Sequence, residues 1–393
     1  DEKATLFAAA LVNRTWCQVA IPLIWSTITS FNKSLIETFI KCMNDDERET
    51  ILAFVKCLND ERRETIFEYF EPTYPSPLFM YTSYIKKFNW KMLDYLFTVE
   101  VYIAEHEKSI WKSILQITDK HGKENLIMQM VTQTCALIFR TASLEKFVIE
   151  LQSTRYIPAF AKLPNASVVF SKLKEFRLLL GHKSHVMIDY ASSYSRDLIC
   201  WINSVSFDIR HLAIDLDICD NHLVNLIKMQ NQLEYVSITG ISGDHLSVIH
   251  ALQTQANHLV GLEFENMILS NWTTLLLSNL YIFTKLKALA FSNCRLAYNA
   301  SIRWSLLSQP LNCLRKLYID YDGEDEFIEK LIETVGINLE DLTITNYCSG
   351  ATYRAIEKHC KNLLSLHVNH RLSAQLSLLR AITKLQNLKH FSF

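Results

Sequence analysis

The sequence predicts an α/β architecture: short parallel strands stacked side by side with helices between them, behind an all-helical N-terminal region. Three observations predict it. Leucine is uneven, with 12 of the 54 in residues 1–143 and 42 in residues 144–393. The leucines of the second part are periodic. Glycine is scarce, with 8 in 393 residues against a usual share of about 7 %.

The periodicity is the pattern L-x-x-L-x-(I/F/V). It begins at Leu144, Leu173, Ile209, Leu233, Leu259, Leu286, Leu314, Leu339, Leu363 and Leu388, and from Ile209 onward the spacing stays within 24–28 residues. Clear copies are Leu286-Lys-Ala-Leu289-Ala-Phe291 and Leu339-Glu-Asp-Leu342-Thr-Ile344. The last two apolar residues of each copy lie two apart, so they point to one face of a short strand. One such strand cannot bury that face alone, and stacked copies can. The period is that of leucine-rich repeats, which predicts a horseshoe solenoid over 144–393 with helices outside its parallel strands. Asp325–Val335 carries Phe327, Ile328, Leu331, Ile332 and Val335 at helical spacing, and His245–Leu252 carries Leu246, Ile249 and Leu252. Cys360-Lys-Asn-Leu363 resembles the element that closes the helix in the cysteine-containing class of these repeats.

Glycine scarcity and charge exclude several functions. None of the glycines stands in G-x-G-x-x-G or G-x-x-x-x-G-K-S/T, so dinucleotide and P-loop chemistry is not expected. Basic and acidic residues balance, 16 to 18 before residue 144 and 24 to 23 after it, which argues against a nucleic-acid partner. Ten cysteines without a C-x-x-C read as reduced, mostly buried thiols of a cytoplasmic or nuclear protein. No apolar run reaches the roughly 18 residues of a membrane span. The pairs His182-Lys-Ser-His185 and His367-Val-Asn-His370 lack carboxylates at useful spacing for zinc. No metal, cofactor or catalytic residue is expected, and the chain is not read as an enzyme.

Before the repeats, residues 39–53 and 54–68 are a tandem duplication with nine of 15 positions identical. Their Asn-Asp-Asp-Glu-Arg-Glu and Asn-Asp-Glu-Arg-Arg-Glu blocks read as helix starts, where acids favour the positive N-terminus. Leu35, Phe39 and Cys42, then Phe54, Cys57 and Leu58, read as one buried face. Glu71–Pro77 reads as a linker, and helices are expected over about 81–101 and 108–140. The domains are thus 1–31, a helical spacer over 32–143, and the array over 144–393. The chain opens on Asp1 and stops at Phe393 inside its tenth copy, so it is expected to be a window of a longer protein.

Residues 6–25 read as a helix from Thr5 to Ala20 stopped by Pro22. One stripe is Leu6, Ala10, Asn13 and Cys17; an adjacent one is Val12, Trp16 and Val19. The wording Leu11-Val-Asn-Arg14-x-Trp16-Cys followed by Pro22-Leu23-x-Trp25 resembles the second half of an F-box, most closely in large fungal families that combine an F-box with leucine-rich repeats. The resemblance implies contact with a Skp-type adaptor and its cullin complex through Leu6, Leu11, Val12, Arg14, Trp16, Pro22, Leu23 and Trp25. The family's first half would lie before Asp1, and it shares that contact. The implied function is target recognition for a cullin-based ubiquitin ligase. The alternative is a leucine-rich-repeat scaffold or sensor without a ubiquitin role.

A target would meet the concave strand face, whose residues alternate with the core. Its contacts are expected at Asp215, Asp217, Tyr235, Glu263, Glu265, Tyr318, Asp320 and Asp341, an acidic set suited to a basic patch, with Asp322, Glu324, Asp325 and Glu326 extending the edge.

Overall fold

A computed structural model describes residues 2–10, 12–26, 38, 42–56, 81–89, 120–151, 158–180, 188–215, 221–240, 246–269, 271–296, 311, 313–322, 325–370 and 374–392. It is a mixed α/β structure whose described strand pairings are all parallel. The chain forms two compact units, residues 1–191 with 204–206, and residues 192–203 with 207–393.

The first unit runs α1 (Glu2–Ala10), α2 (Arg14–Ser26), α3 (Asp45–Lys56), a 3-10 turn at Tyr81–Tyr84, β1 (Lys87–Asn89), α4 (Lys120–Thr141), β2 (Lys146–Leu151), α5 (Ala166–Phe170) and β3 (Glu175–Leu180). The strands pair in the order β1-β2-β3, with Phe88, Phe147 and Phe176 in one row. These rings stack along the sheet, at 5.8 Å for Phe88–Phe147 and 6.3 Å for Phe147–Phe176. Phe139 of α4 meets Phe170 edge-on at 5.2 Å, and Phe170 meets Phe147 at 4.8 Å. This buried aromatic cluster ties the copies at Leu144 and Leu173 to α4 and β1, so the compact division falls beyond β3 rather than at residue 143.

Three expectations change here. The single helix over 5–20 is two helices: Asn13 starts α2, its Oδ1 accepting from the Trp16 N–H at 3.0 Å. Pro22 stands inside α2, where it removes one N–H from the helix without stopping it. The helix expected from residue 81 is a 3-10 turn and then β1, because Ile85 and Phe88 are buried as the first and fourth positions of an eleventh copy of the repeat. The Asn44 block behaves as read. The Asn44 N–H donates to Glu47 Oε2, and the Glu47 N–H to Asn44 Oδ1, each at 2.8 Å, a reciprocal cap on α3. Glu47 also pairs with Arg140 of α4 at 3.1 Å. Cys42 is buried; Leu35, Phe39, Cys57, Leu58 and Glu71–Pro77 lie outside the described residues.

The second unit continues with most of α6 (Ile188–Val205), then β4 (His211–Asp215), α7 (Asn221–Met229), β5 (Tyr235–Thr239), α8 (Leu246–Gln253), β6 (Gly261–Glu265), β7 (Ile268–Leu269), α9 (Asn271–Asn279), β8 (Ala288–Leu296), β9 (Lys316–Asp322), α10 (Asp325–Val335), β10 (Asp341–Cys348), α11 (Gly350–His359), β11 (Ser365–His370), α12 (Gln375–Lys384) and β12 (His390–Ser392). From β4 the order is sequential, β4-β5-β6-β8-β9-β10-β11-β12, with β7 beside β8. Every one of the ten sequence copies, from Leu144 to Leu388, places its strand two residues after its first apolar residue. In nine of them the first, fourth and sixth positions are buried, as in Leu339, Leu342 and Ile344. In the last copy Leu388 is half-buried and Phe391 exposed. α10 buries the five residues expected of it, whereas Leu246 of α8 is exposed and Val248, Ile249, Ala251 and Leu252 face inward.

The backbone repeats as strictly as the side chains. At Lys86 and Glu145 in the first unit, and at Arg210, Glu234, Val260, Lys287, Arg315, Glu340 and Leu364 in the second, the carbonyl after the first apolar position accepts two N–H groups from the next copy. The Glu234 carbonyl takes Val260 and Gly261 at 2.7 and 3.0 Å, and the Leu364 carbonyl takes Lys389 and His390 at 2.8 and 3.0 Å. Buried amides finish the helix-to-strand corners. Gln230 Oε1 accepts from the Ile209 N–H at 2.9 Å, and its Nε2 donates to the Leu226 carbonyl at 3.0 Å. Gln255 Nε2 donates to the Ile227 and Gln230 carbonyls at 3.0 and 2.9 Å. The backbone turns left-handed after β5 and β6, at Gly240 and Asn266, and at Asn293 inside β8 where its register with β9 shifts, with φ of 149°, 56° and 52°; asparagine tolerates that region better than most residues.

Replacing Gln230 with Leu strips the buried Ile209 N–H of its acceptor. Unfolding in urea should show a loss of about 1–3 kcal/mol, the cost of an unsatisfied buried donor.

Candidate functional site

Two surfaces gather the residues singled out by the sequence, one in each unit. The first is α2. Ala20 and Ile24 are buried, and Trp25 lies against Tyr81 with ring centroids 4.6 Å apart. The Ser26 carbonyl accepts from the Lys86 N–H at 3.1 Å. These contacts fix the inward side. On the other side Val12, Trp16, Val19 and Leu23 are 65, 54, 58 and 54 % exposed. At 100° per residue, Trp16, Val19 and Leu23 fall within about 60° of one another, so they form one apolar stripe in water.

The structure therefore divides the residues that the resemblance assigns to adaptor contact. Trp16 and Leu23 share the exposed stripe, and Val12 is exposed in the turn before α2. Leu6, Pro22 and Trp25 are half-buried, and Trp25 is turned to Tyr81, so it acts in packing. Arg14 stands in the first turn of α2, and Leu11 lies outside the described residues. Val19 completes the stripe; the helical spacing 12, 16, 19 carried that signal in the sequence.

The second surface is the strand face of β4–β10. Tyr235 is 43 % exposed. Its ring lies directly on Gly261, where a Cβ would come within 2.4 Å of Cδ1, so residue 261 has no room for a side chain while the ring stays there. The ring meets His211 edge-on at 4.7 Å. Glu263, Glu265, Tyr318, Asp320 and Asp341 are half-buried. Ser292 Oγ donates to Glu263 Oε1 and Thr239 Oγ1 to Glu265 Oε2, each at 3.2 Å. Asp341 faces Lys316 at 3.8 Å. Asp215 is corrected: strand alternation puts it on this face, yet it is 1 % exposed, so it presents nothing to a partner here. Asp217 and Glu324 lie outside the described residues, and Asp325 and Glu326 form the first turn of α10.

No protein-family model matches the chain, and no curated protein matches its sequence.

Among the described residues no group of three or more His, Cys, Asp or Glu is placed to hold a metal ion, and no helix is long and apolar enough to cross a membrane. His367 Nδ1 lies 2.6 Å from Ser392 Oγ; His182 and His185 lie outside the described residues. The thiols divide by burial. Desolvation pushes Cys42 and Cys294 up to about 11 and Cys348 and Cys360 up to about 12, and it raises Cys135 as well. Cys200 and Cys313 are exposed.

The thiolate is the reacting form, so these thiols stay protonated and shielded at mildly alkaline pH. Brief iodoacetamide treatment there should label Cys200 and Cys313 in the folded protein. Cys42, Cys135, Cys294, Cys348 and Cys360 should react only after unfolding, read by peptide mass spectrometry.

Proposed function

We propose that this chain is the target-recruiting receptor of a cullin-based ubiquitin ligase. α1 and α2 dock on the Skp-type adaptor, and the parallel strand–helix array, a leucine-rich-repeat solenoid, holds the target protein. The observation that carries the reading is the apolar stripe of Trp16, Val19 and Leu23 on α2, with Val12 exposed in the turn before it. It stands within the residues whose wording resembles an F-box, on a helix whose opposite side is already packed. Complete burial of such side chains is worth about 1.5–3 kcal/mol each. These are roughly half exposed, so a partner helix or groove recovers part of that.

The mechanism is proximity. A receptor that grips the adaptor with one surface and a target with another raises the effective concentration of target lysines near the ubiquitin-loaded enzyme. Bond making belongs to the partner subunits, and this reading asks no acid, base or nucleophile of the chain.

The inward stacking of Trp25 on Tyr81 favours a second reading, a scaffold or sensor that uses the same strand face and never meets the adaptor. Capture of purified Skp-type adaptor by the full chain separates the two. Trp16→Ala and Leu23→Ala should each cut capture tenfold or more, the loss typical of an interface anchor, while Gln18→Ala on the same helix should leave it within twofold. A wild-type chain that captures no adaptor ends the ligase reading and leaves the scaffold.

A further inference from the structure

We propose that the face formed by β5, β6, β8 and β9 is a docking surface for an arginine-bearing segment of the partner protein. This rests on the reading above that the strand face holds a protein target, and it names where on that face and by what chemistry.

Charge is the first argument. Other acids of this unit's strand edge are compensated: Glu234 by Arg210 at 3.3 Å, Glu340 by Arg315 at 3.2 Å, and Asp341 by Lys316 at 3.8 Å. Glu263, Glu265 and Asp320 have no basic partner among the described residues. Their polar contacts are the hydroxyls of Ser292 and Thr239 on the two glutamates. All three carboxylates bear on the buried Cys294 thiol and add to the rise that burial causes there, so their fields converge on one part of the sheet. Lys316, the basic residue in the same rows, is already turned to Asp341.

Shape is the second argument. The register places Gly261 between Tyr235 and Ala288, and Ala290 between Glu263 and Tyr318. The floor is thus Gly261, Ala288 and Ala290, with a tyrosine on each side. Tyr235 and Tyr318 stand three strand spacings apart, about 14 Å. From β6, which carries the glutamates, to Asp320 on β9 is two spacings, about 10 Å, which an extended chain covers in about three residues. Two arginines so spaced reach both acidic positions.

The aromatic ring selects arginine over lysine. Tyr235 lies over Gly261 and remains 43 % exposed, an open aromatic ring on which a planar guanidinium stacks while its N–H groups fork onto a carboxylate. A compact ammonium gains the charge and not the stacking. A nucleic acid would meet three carboxylates with its phosphates, and is disfavoured for the same reason that arginine is favoured.

The test measures binding of the full chain to fluorescein-labelled hexa-arginine, hexa-lysine and hexa-glutamate peptides by anisotropy at physiological salt. Hexa-arginine should bind more tightly than hexa-lysine, and hexa-glutamate should not bind. The double variant Glu263→Gln, Asp320→Asn should weaken hexa-arginine tenfold or more. Glu329→Gln, Glu333→Gln on α10 removes the same charge elsewhere and should change binding less than twofold. Tyr235→Ala should remove the preference for arginine over lysine. Absence of hexa-arginine binding, equal losses in the two double variants, or an arginine preference that survives Tyr235→Ala each overturns the proposal. α2 is untouched in every variant, so a failed peptide test with adaptor capture intact sinks this inference alone, and a failed capture leaves the peptide test standing.

Discussion

One carbonyl per repeat carries the fold. Within each unit the residue after the leading apolar residue offers its oxygen to two successive N–H groups of the next copy, at Lys86 and Glu145 and then from Arg210 to Leu364. That shared acceptor fixes where the following strand begins, to the residue. Register then decides which side chains face the core, because a slip of one residue would turn every strand inside out. The leading leucine beneath the carbonyl is buried in every copy but the last, so hydrophobic contact and backbone pairing specify the same position.

This agreement is why so much of the fold was legible in the sequence. The strand starts follow from leucine spacing alone, and α10 follows from five apolar residues at helical spacing. What escaped had physical causes. β1 belongs to the same series, but 59 residues separate Ile85 from Leu144, and an isolated I-x-x-F has no period to declare it. Pro22 was given the power to end a helix. In α2 the anchoring by Ala20, Ile24 and Trp25 carries the helix past the missing N–H. Scarce glycine suggested few left-handed turns; asparagine in fact supplies them at Asn266 and Asn293.

The two surfaces differ in how far sequence could reach. The α2 stripe is a matter of helical geometry, and 12, 16 and 19 already marked it. Which side of a helix stays in water depends on what packs behind it, and that took Tyr81 and the Ser26–Lys86 contact to settle. On the strand face, alternation gave a side for each residue but could not say which acids are accessible or compensated. Asp215 is buried and Asp341 faces a lysine, while Glu263, Glu265 and Asp320 have no cation beside them among the described residues. Alternation gives direction, and only packing gives accessibility.

The glutamines at the corners have a wider consequence. Gln230 holds the Ile209 backbone that opens its own copy, and Gln255 of the next copy holds both the Ile227 and the Gln230 carbonyls. A stack joined only by neighbouring strands can fray one layer at a time from its ends. Here the amides act as rivets driven through successive layers. Opening the copy at Leu233 takes Gln255 away from two carbonyls of the copy before it, so melting there costs more than the strand pairing alone.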